Sequence, residues 1–246
     1  MPKTAATRLR QRAIRITDRL RARIAAIDGV CLFGSVARGD ASARSDIDLL
    51  VFGSDPALTP STILRTLPPA MRARVSISYC RTGAFESRFQ RRPDFIGHIQ
   101  QEGELLYDRH GRTARMLARA RRSANVHEGL SACMRKLDLY RDPRPYRSNY
   151  LFGLAHLYAI GRGVVSLALM DRGTPEFNRK HAFDRFVATH PDLRRDIERV
   201  ASLQPFYALV TGRTPVELPF SYRHGAPAMR RAVSAIENVA RVLEHA

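Results

Sequence analysis

Asp46 and Asp48 stand two residues apart at the head of the apolar run Ile47 to Phe52. Alternate side chains of a strand face the same way, so the two carboxylates converge on one point. Unpaired charges at the start of a buried strand are costly, and a shared divalent cation is the usual remedy. Taken alone, the pair equally fits a helix cap or ion pairs with Arg38 or Arg44. Gly34-Ser35, which closes the apolar run Val30 to Phe33, changes that balance. Glycine lets the backbone approach a ligand closely, and Ser35 offers a hydroxyl and an amide where a helix is expected to begin. A triphosphate cradle and a metal-binding pair, joined by an excursion of ten residues, describe in-line attack at the α-phosphate of a nucleotide, with the chemistry supplied by position and charge.

Elements that must hold these residues follow from periodicity. Leu9, Ala13, Ile16, Leu20, Ile24 and Ile27 recur at spacings of three and four and predict a helix from Arg8 to Ile27, ended by Asp28-Gly29. Arg8, Arg12, Arg15, Arg19 and Arg23 run beside that stripe, the solvated face of a helix docked on its own domain. Val30 to Phe33, Ile47 to Phe52 and Val75 to Tyr79 predict strands, Thr62 to Leu67 and Pro93 to Gln101 helices, and Glu104 to Tyr107 an edge strand. This alternation predicts an α/β or α+β sheet over residues 1–108. Beyond Gly111 every stripe is helical. A long helix from Tyr146 to about Met170, apolar around most of its circumference, belongs at the centre of an antiparallel bundle of about five helices over residues 109–246.

Composition narrows the classes. The 246 residues carry 41 Lys+Arg against 23 Asp+Glu, a formal charge of +18, and only Lys3, Lys136 and Lys180 are lysines. Arginine favours bidentate recognition of phosphate or carboxylate, although a general arginine bias explains the excess equally well, so charge suggests nucleic acid without showing it. With 44% hydrophobic residues, disorder along the whole chain is excluded. Cys31, Cys80 and Cys133 form neither a disulfide framework nor a zinc pattern, which fits a reducing compartment. The N-terminus lacks the apolar run of a signal peptide, and the longest uncharged apolar stretch, Val164 to Met170, is far short of the ~20 residues of a membrane span. A soluble, cytoplasmic chain with no membrane partner is expected.

Gly34, Ser35, Arg38, Gly39, Ser45, Asp46 and Asp48 resemble, residue by residue, the polymerase-β-like nucleotidyltransferases, in the small bacterial branch whose pattern is Gly-Ser, ten residues, Asp-x-Asp. Ile99 to Tyr107 is similar, more loosely, to the end of that family's catalytic domain. The resemblance implies an α+β fold, a nucleotidyltransferase domain with a mixed sheet and flanking helices, here followed by an all-α antiparallel helical bundle. It implies Mg²⁺ or Mn²⁺ on Asp46 and Asp48, and a nucleoside triphosphate, ATP foremost, held by Gly34, Ser35, Arg38 and Ser45. It also implies transfer of a nucleoside monophosphate to an acceptor: RNA or tRNA, a protein, or a small hydroxylated molecule. One departure matters. The family places a third acid on the next strand, where this chain has Ser76 or Ser78. Serine is a poor Mg²⁺ ligand and no base near neutral pH. Transfer then depends on Glu86, Glu102 or Glu104 reaching the site; otherwise the chain binds nucleotide, RNA or an acidic partner protein without turnover, as an antitoxin-like or regulatory protein.

The helical half is similar, more weakly, to the HEPN or substrate-binding helical domains that accompany such catalytic domains, through Gly153 to Met170 and Phe177 to His181. That likeness implies a bundle that shapes the acceptor site and could carry a homo-oligomer, with Arg179 and Arg185 as phosphate or acceptor contacts. Arg122 with His127 and Arg185 with His190 have the Arg-to-His spacing of HEPN ribonucleases, a pattern that also arises by chance in an arginine-rich chain. His190, before Pro191, reads as a helix end; Phe206-Tyr207, Tyr146 and Tyr150 read as core.

Overall fold

A computed structural model describes residues 4–43, 45–85, 93–120, 125–212 and 217–244. Its Cα packing divides the chain into two compact units, Met1–Ala124 and Asn125–Ala246. In the first, α1 (Ala5–Arg23) leads into β1 (Ile27–Phe33), the single turn α2 (Ser35–Arg38) and β2 (Ile47–Gly53). Then come α3 (Pro60–Arg65), α4 (Pro69–Arg72), β3 (Val75–Arg81), α5 (Pro93–Glu102), β4 (Glu104–Asp108) and α6 (Arg112–Ala120). The sheet has the order β3-β2-β1-β4 and is mixed: β1 pairs antiparallel with β2 and β4, while β2 pairs parallel with β3.

Both faces of this sheet are covered, which is why Val30–Phe33 of β1 and Leu49–Phe52 of β2 read as unbroken apolar runs rather than alternating ones. On one face Val30, Leu32, Ile47, Leu49 and Val51 pack against Ala13, Ile16 and Leu20 of α1 and Ile63 of α3. On the other, Cys31, Phe33, Leu50, Phe52 and Cys80 pack against Ile96 and Ile99 of α5 and Met116 of α6. Burial, reinforced by the charge of Glu104, pushes the Cys31 thiol up to about 12, so this cysteine is inert core. The arginine face of α1 points outward as expected, and Arg12 ties the helix to its domain by donating to the carbonyls of Met71 (3.2 Å) and Ala73 (2.8 Å).

Three sequence expectations are corrected. Helix α1 ends at Arg23, and Asp28-Gly29 lies inside β1 instead of breaking a helix. Asp28 is buried and accepts a hydrogen bond from Thr82 Oγ1 at 2.6 Å. Gly29 is there for space, since a Cβ on it would lie 2.1 Å from Thr113 Oγ1. Helix α6, expected to open the helical half, packs on β1 and β4 and so lies within the first unit. The long helix begins at Leu151, after a tight 3₁₀ turn Arg144–Tyr146.

The second unit holds six α-helices among the described residues: α7 (Val126–Leu137), α8 (Leu151–Asp171), α9 (Arg179–Thr189), α10 (Arg194–Ala201), α11 (Gln204–Val210) and α12 (Ala226–Glu244). Helix α8 contacts all the others, and Leu154, Leu157, Tyr158, Val164 and Leu167 on it are buried against Phe186, Ile197, Phe206, Met229 and Ile236. By length and composition α8 could cross a membrane, but 67% of its apolar window is buried within the bundle, which accounts for an apolar surface on every side.

Gly29→Ala is expected to cost about 2 kcal/mol by overpacking. Urea denaturation measures the loss, and adding Thr113→Ala, which removes the nearest atom, is expected to return part of it.

Candidate functional site

The site forms at the sheet edge where β1 ends and β2 begins. The antiparallel register sets Phe33 opposite Asp48, and the parallel register sets Asp48 beside Ser76, so Phe33, Asp48 and Ser76 form one row on one face. Ile47, fully buried toward α1, separates two half-buried acids, which is the alternation the sequence predicts. Asp48 therefore leaves the core on the face away from α1, and Asp46 stands one residue before the strand.

Gly34 brings the phosphate-binding candidate to the acids. Its φ of 75° is a conformation that L side chains rarely adopt, and a Cβ there would lie 2.7 Å from Asp48 Oδ2. The backbone of Gly34 thus lies directly against the Asp48 carboxylate. Ser35 follows as the first residue of α2, closed by Arg38 N–H donating to Gly34 O at 3.0 Å.

Two arginines lace this edge together. Arg38, at the end of α2, donates through Nη1 to Glu102 Oε2 at 2.6 Å and through Nε to Asp40 Oδ2 at 3.2 Å. Burial opposes the Arg38 charge, but the bonds to Glu102 and Asp40 outweigh it and raise its pKa above the ordinary arginine value. Glu102, 7% exposed at the end of α5, also lies 2.8 Å from Nε2 of His98, whose ring meets Phe33 edge-on at 5.6 Å. The result is a brace from the Gly34–Arg38 turn to α5. Arg74 takes the left-handed conformation (φ 55°), and its carbonyl accepts the N–H of Ile47 at 2.8 Å while its guanidinium bonds to Ala43 O. This pins the start of β2 between the two acids.

The remaining candidates fall out as follows. The Ser45 hydroxyl accepts Ser42 N–H at 3.0 Å and closes the turn before Asp46. Ser76 is exposed and Ser78 half-buried, both on the Asp48 face of β3. Glu104 pairs across the sheet with Leu32, which faces α1, and forms an ion pair with Arg10 there; it lies on the opposite face from Asp48. Arg44 and Glu86 lie outside the described residues. Arg179 opens α9 and Arg185 is exposed on it, both in the second unit. His190 is buried and stacked on Phe186 with ring centroids 4.4 Å apart, so it belongs to the core and offers no accessible imidazole to a ribonuclease site. His127 is exposed on α7, while Arg122 lies outside the described residues.

Sequence reading missed the brace and the pin. Glu102 was visible as an acid, but its partner lies 64 residues away in Arg38, and nothing in the type of residue 74 signals a positive φ. Mg²⁺ is commonly held by one or two carboxylates with substrate phosphates and water completing its shell. Asp46 and Asp48 fit that donor set. Among the described residues no group of three or more His, Cys, Asp and Glu side chains gathers as a metal cage.

A family model described as the nucleotidyltransferase domain matches residues 14–110. The spectinomycin adenyltransferase of Enterococcus faecialis, solved with ATP and spectinomycin, shares 12% identity and covers 94% of this chain and 98% of its own at a TM-score of 0.54. A nucleotidyltransferase-like protein from Exiguobacterium sibiricum (16% identity, 90% and 71% covered) aligns at a TM-score of 0.38. A toxin-antitoxin structure with AMP-PNP (19% identity, 43% and 80% covered) aligns at 0.33. No curated protein matches the chain in sequence. The fold is that of the nucleotidyltransferases, with a mixed four-stranded sheet, flanking helices and a C-terminal helical region.

Glu102→Ala is expected to cost about 2 kcal/mol, because it strands the half-buried Arg38 charge. Replacing both partners, Arg38→Met with Glu102→Met, is expected to recover at least half of that loss in the same denaturation experiment.

Proposed function

We propose that the chain is a metal-dependent nucleotidyltransferase that moves a nucleoside monophosphate from a triphosphate to an acceptor. The observation that carries this reading is the closeness of Gly34 to the Asp48 carboxylate, which brings the Gly34-Ser35 turn against the acid within the segment that the nucleotidyltransferase domain model matches. Gly34 and Ser35 receive the triphosphate, and Asp46 and Asp48 hold the cation. When bound, Mg²⁺ neutralises charge developing on the phosphates and orients them for in-line displacement. Arg38 acts through position, its guanidinium holding the turn to α5, and Ser45 sets the loop that delivers Asp46. ATP is the donor we favour, the nucleotide present in the adenyltransferase structure of similar fold. Arg179 and Arg185, both on α9 of the second unit, are the candidate contacts to an anionic acceptor such as RNA or an acidic protein.

Ser76 favours a second reading, in which the site binds Mg-ATP and a partner without turnover. In the register of β3 a neutral hydroxyl stands beside Asp48, and serine neither ligates Mg²⁺ well nor takes a proton near neutral pH.

Labelling a cell lysate with α-³²P ATP and Mg²⁺ separates the two. The native chain is expected to transfer label, and Asp46→Asn with Asp48→Asn to reduce transfer to background. ATP binding without label in any fraction would establish the non-catalytic reading.

A further inference from the structure

Resting on the transferase reading, the surroundings of Ser76 constrain the acceptor. A hydroxyl that attacks the α-phosphate must lose its proton, and a general base has to lie within hydrogen-bond reach to take it. Apart from Asp46 and Asp48, the described acidic side chains considered for this edge, Asp40, Glu102 and Glu104, are each ion-paired. Glu102 is nearly buried under Arg38 at 2.6 Å and His98 at 2.8 Å. Asp40 is paired with Arg38, and Glu104 stands on the other face with Arg10. What β3 presents beside Asp48 is an exposed serine, followed on the same face by Ser78.

We propose that the acceptor attacks with an oxygen that is already ionised, and that it is a phosphomonoester. The second ionisation of such a group falls near pH 6, so its dianion is the main form at neutral pH. An oxygen lone pair of the acceptor phosphate forms the new bond to the α-phosphorus. The bond from that phosphorus to the bridging oxygen breaks, and pyrophosphate leaves with the electron pair. No proton moves, and the product is a phosphoanhydride between the acceptor phosphate and the nucleoside monophosphate. Neutral serines suit this acceptor twice over. They donate hydrogen bonds to a dianion, and they spare it the repulsion that a third carboxylate would impose. A chain with 41 basic against 23 acidic residues attracts polyanions in general, which favours phosphate over a singly charged carboxylate.

The linkage in the labelled product tests this without knowing the acceptor. Phosphatase treatment of the lysate, followed by removal of the phosphatase before α-³²P ATP is added, is expected to abolish labelling. The label formed in untreated lysate is expected to be released as AMP by a pyrophosphatase specific for phosphoanhydrides and to resist hydroxylamine. Transfer is expected to rise through about pH 6 and level off, following the acceptor. Ser76→Asp is expected to lower it about tenfold through like-charge repulsion, and Glu86→Gln to leave it unchanged. Label resistant to the pyrophosphatase would reveal a hydroxyl acceptor, and label lost to hydroxylamine a carboxylate; either overturns the proposal while the transferase reading stands. Loss of transfer in Glu86→Gln would place a base in the chain and overturn it too. Absence of all label with ATP binding intact would overturn both.

Discussion

The contact of the Gly34 backbone with the Asp48 carboxylate is the constraint on which the first unit is organised. A Cβ at residue 34 would lie 2.7 Å from Oδ2 and push the Asp48 carboxylate aside, and the φ of 75° there independently favours glycine. Such proximity requires β1 to end where β2 begins, so the register that pairs Phe33 with Asp48 has to be held against slippage. A slip of one residue would turn Asp46 and Asp48 into the α1 core and bring Ile47 to the edge. Burial of β1 and β2 on both faces makes that slip prohibitive, since charged side chains would then displace the Ile16 and Leu20 contacts. The two-sided apolar core is thus what permits two acids to stand at its rim.

Charge at that rim is balanced locally. Like charges gathered at one edge repel, and a metal-free site must bear that repulsion or dilute it. The Arg38 guanidinium contributes the nearest described positive charge on the turn itself, but Glu102 and Asp40 already claim it. Its effect is therefore mechanical: it fastens the turn that follows Gly34 to the last turn of α5. Arg74 does the corresponding work for the start of β2 through its carbonyl, and its own strained backbone is the cost. Arg38 and Arg74 both fix backbone at this edge, one through its side chain and the other through its carbonyl.

Much of this was legible in the residues. Apolar runs located β1 and β2, the alternation of Val75 to Tyr79 located β3 and the short run after Gly103 located β4, and the Gly-Ser and Asp-x-Asp spacing located the edge where β1 and β2 meet. The spacing did not reveal function at residue 29. Asp28-Gly29 has the composition of a helix stop, yet Asp28 is buried against Thr82 and Gly29 makes way for Thr113, both contacts made across long stretches of chain. Nor did helical periodicity beyond Gly111 disclose which unit residues 112–120 join, since amphipathicity reports that a face is buried and not what buries it. His190 shows the same limit from the other side. A spacing shared with ribonucleases ended as a ring stacked in a core.

Ser76 is where folding and chemistry part. For the fold, a serine beside Asp48 is the easier residue: a third carboxylate in that row would add like-charge repulsion to a site without its cation and leave stability dependent on metal. For transfer to a hydroxyl, the same serine removes the group that would accept the proton. A chain that had merely lost its activity would be under no demand to keep the positive φ of Gly34, the left-handed Arg74 or the Arg38 to Glu102 brace, all of which fix the backbone around the remaining two acids. Strain of that kind persists when something depends on the geometry it secures. The arrangement is coherent if the missing base is unnecessary, and a nucleophile that arrives ionised makes it so.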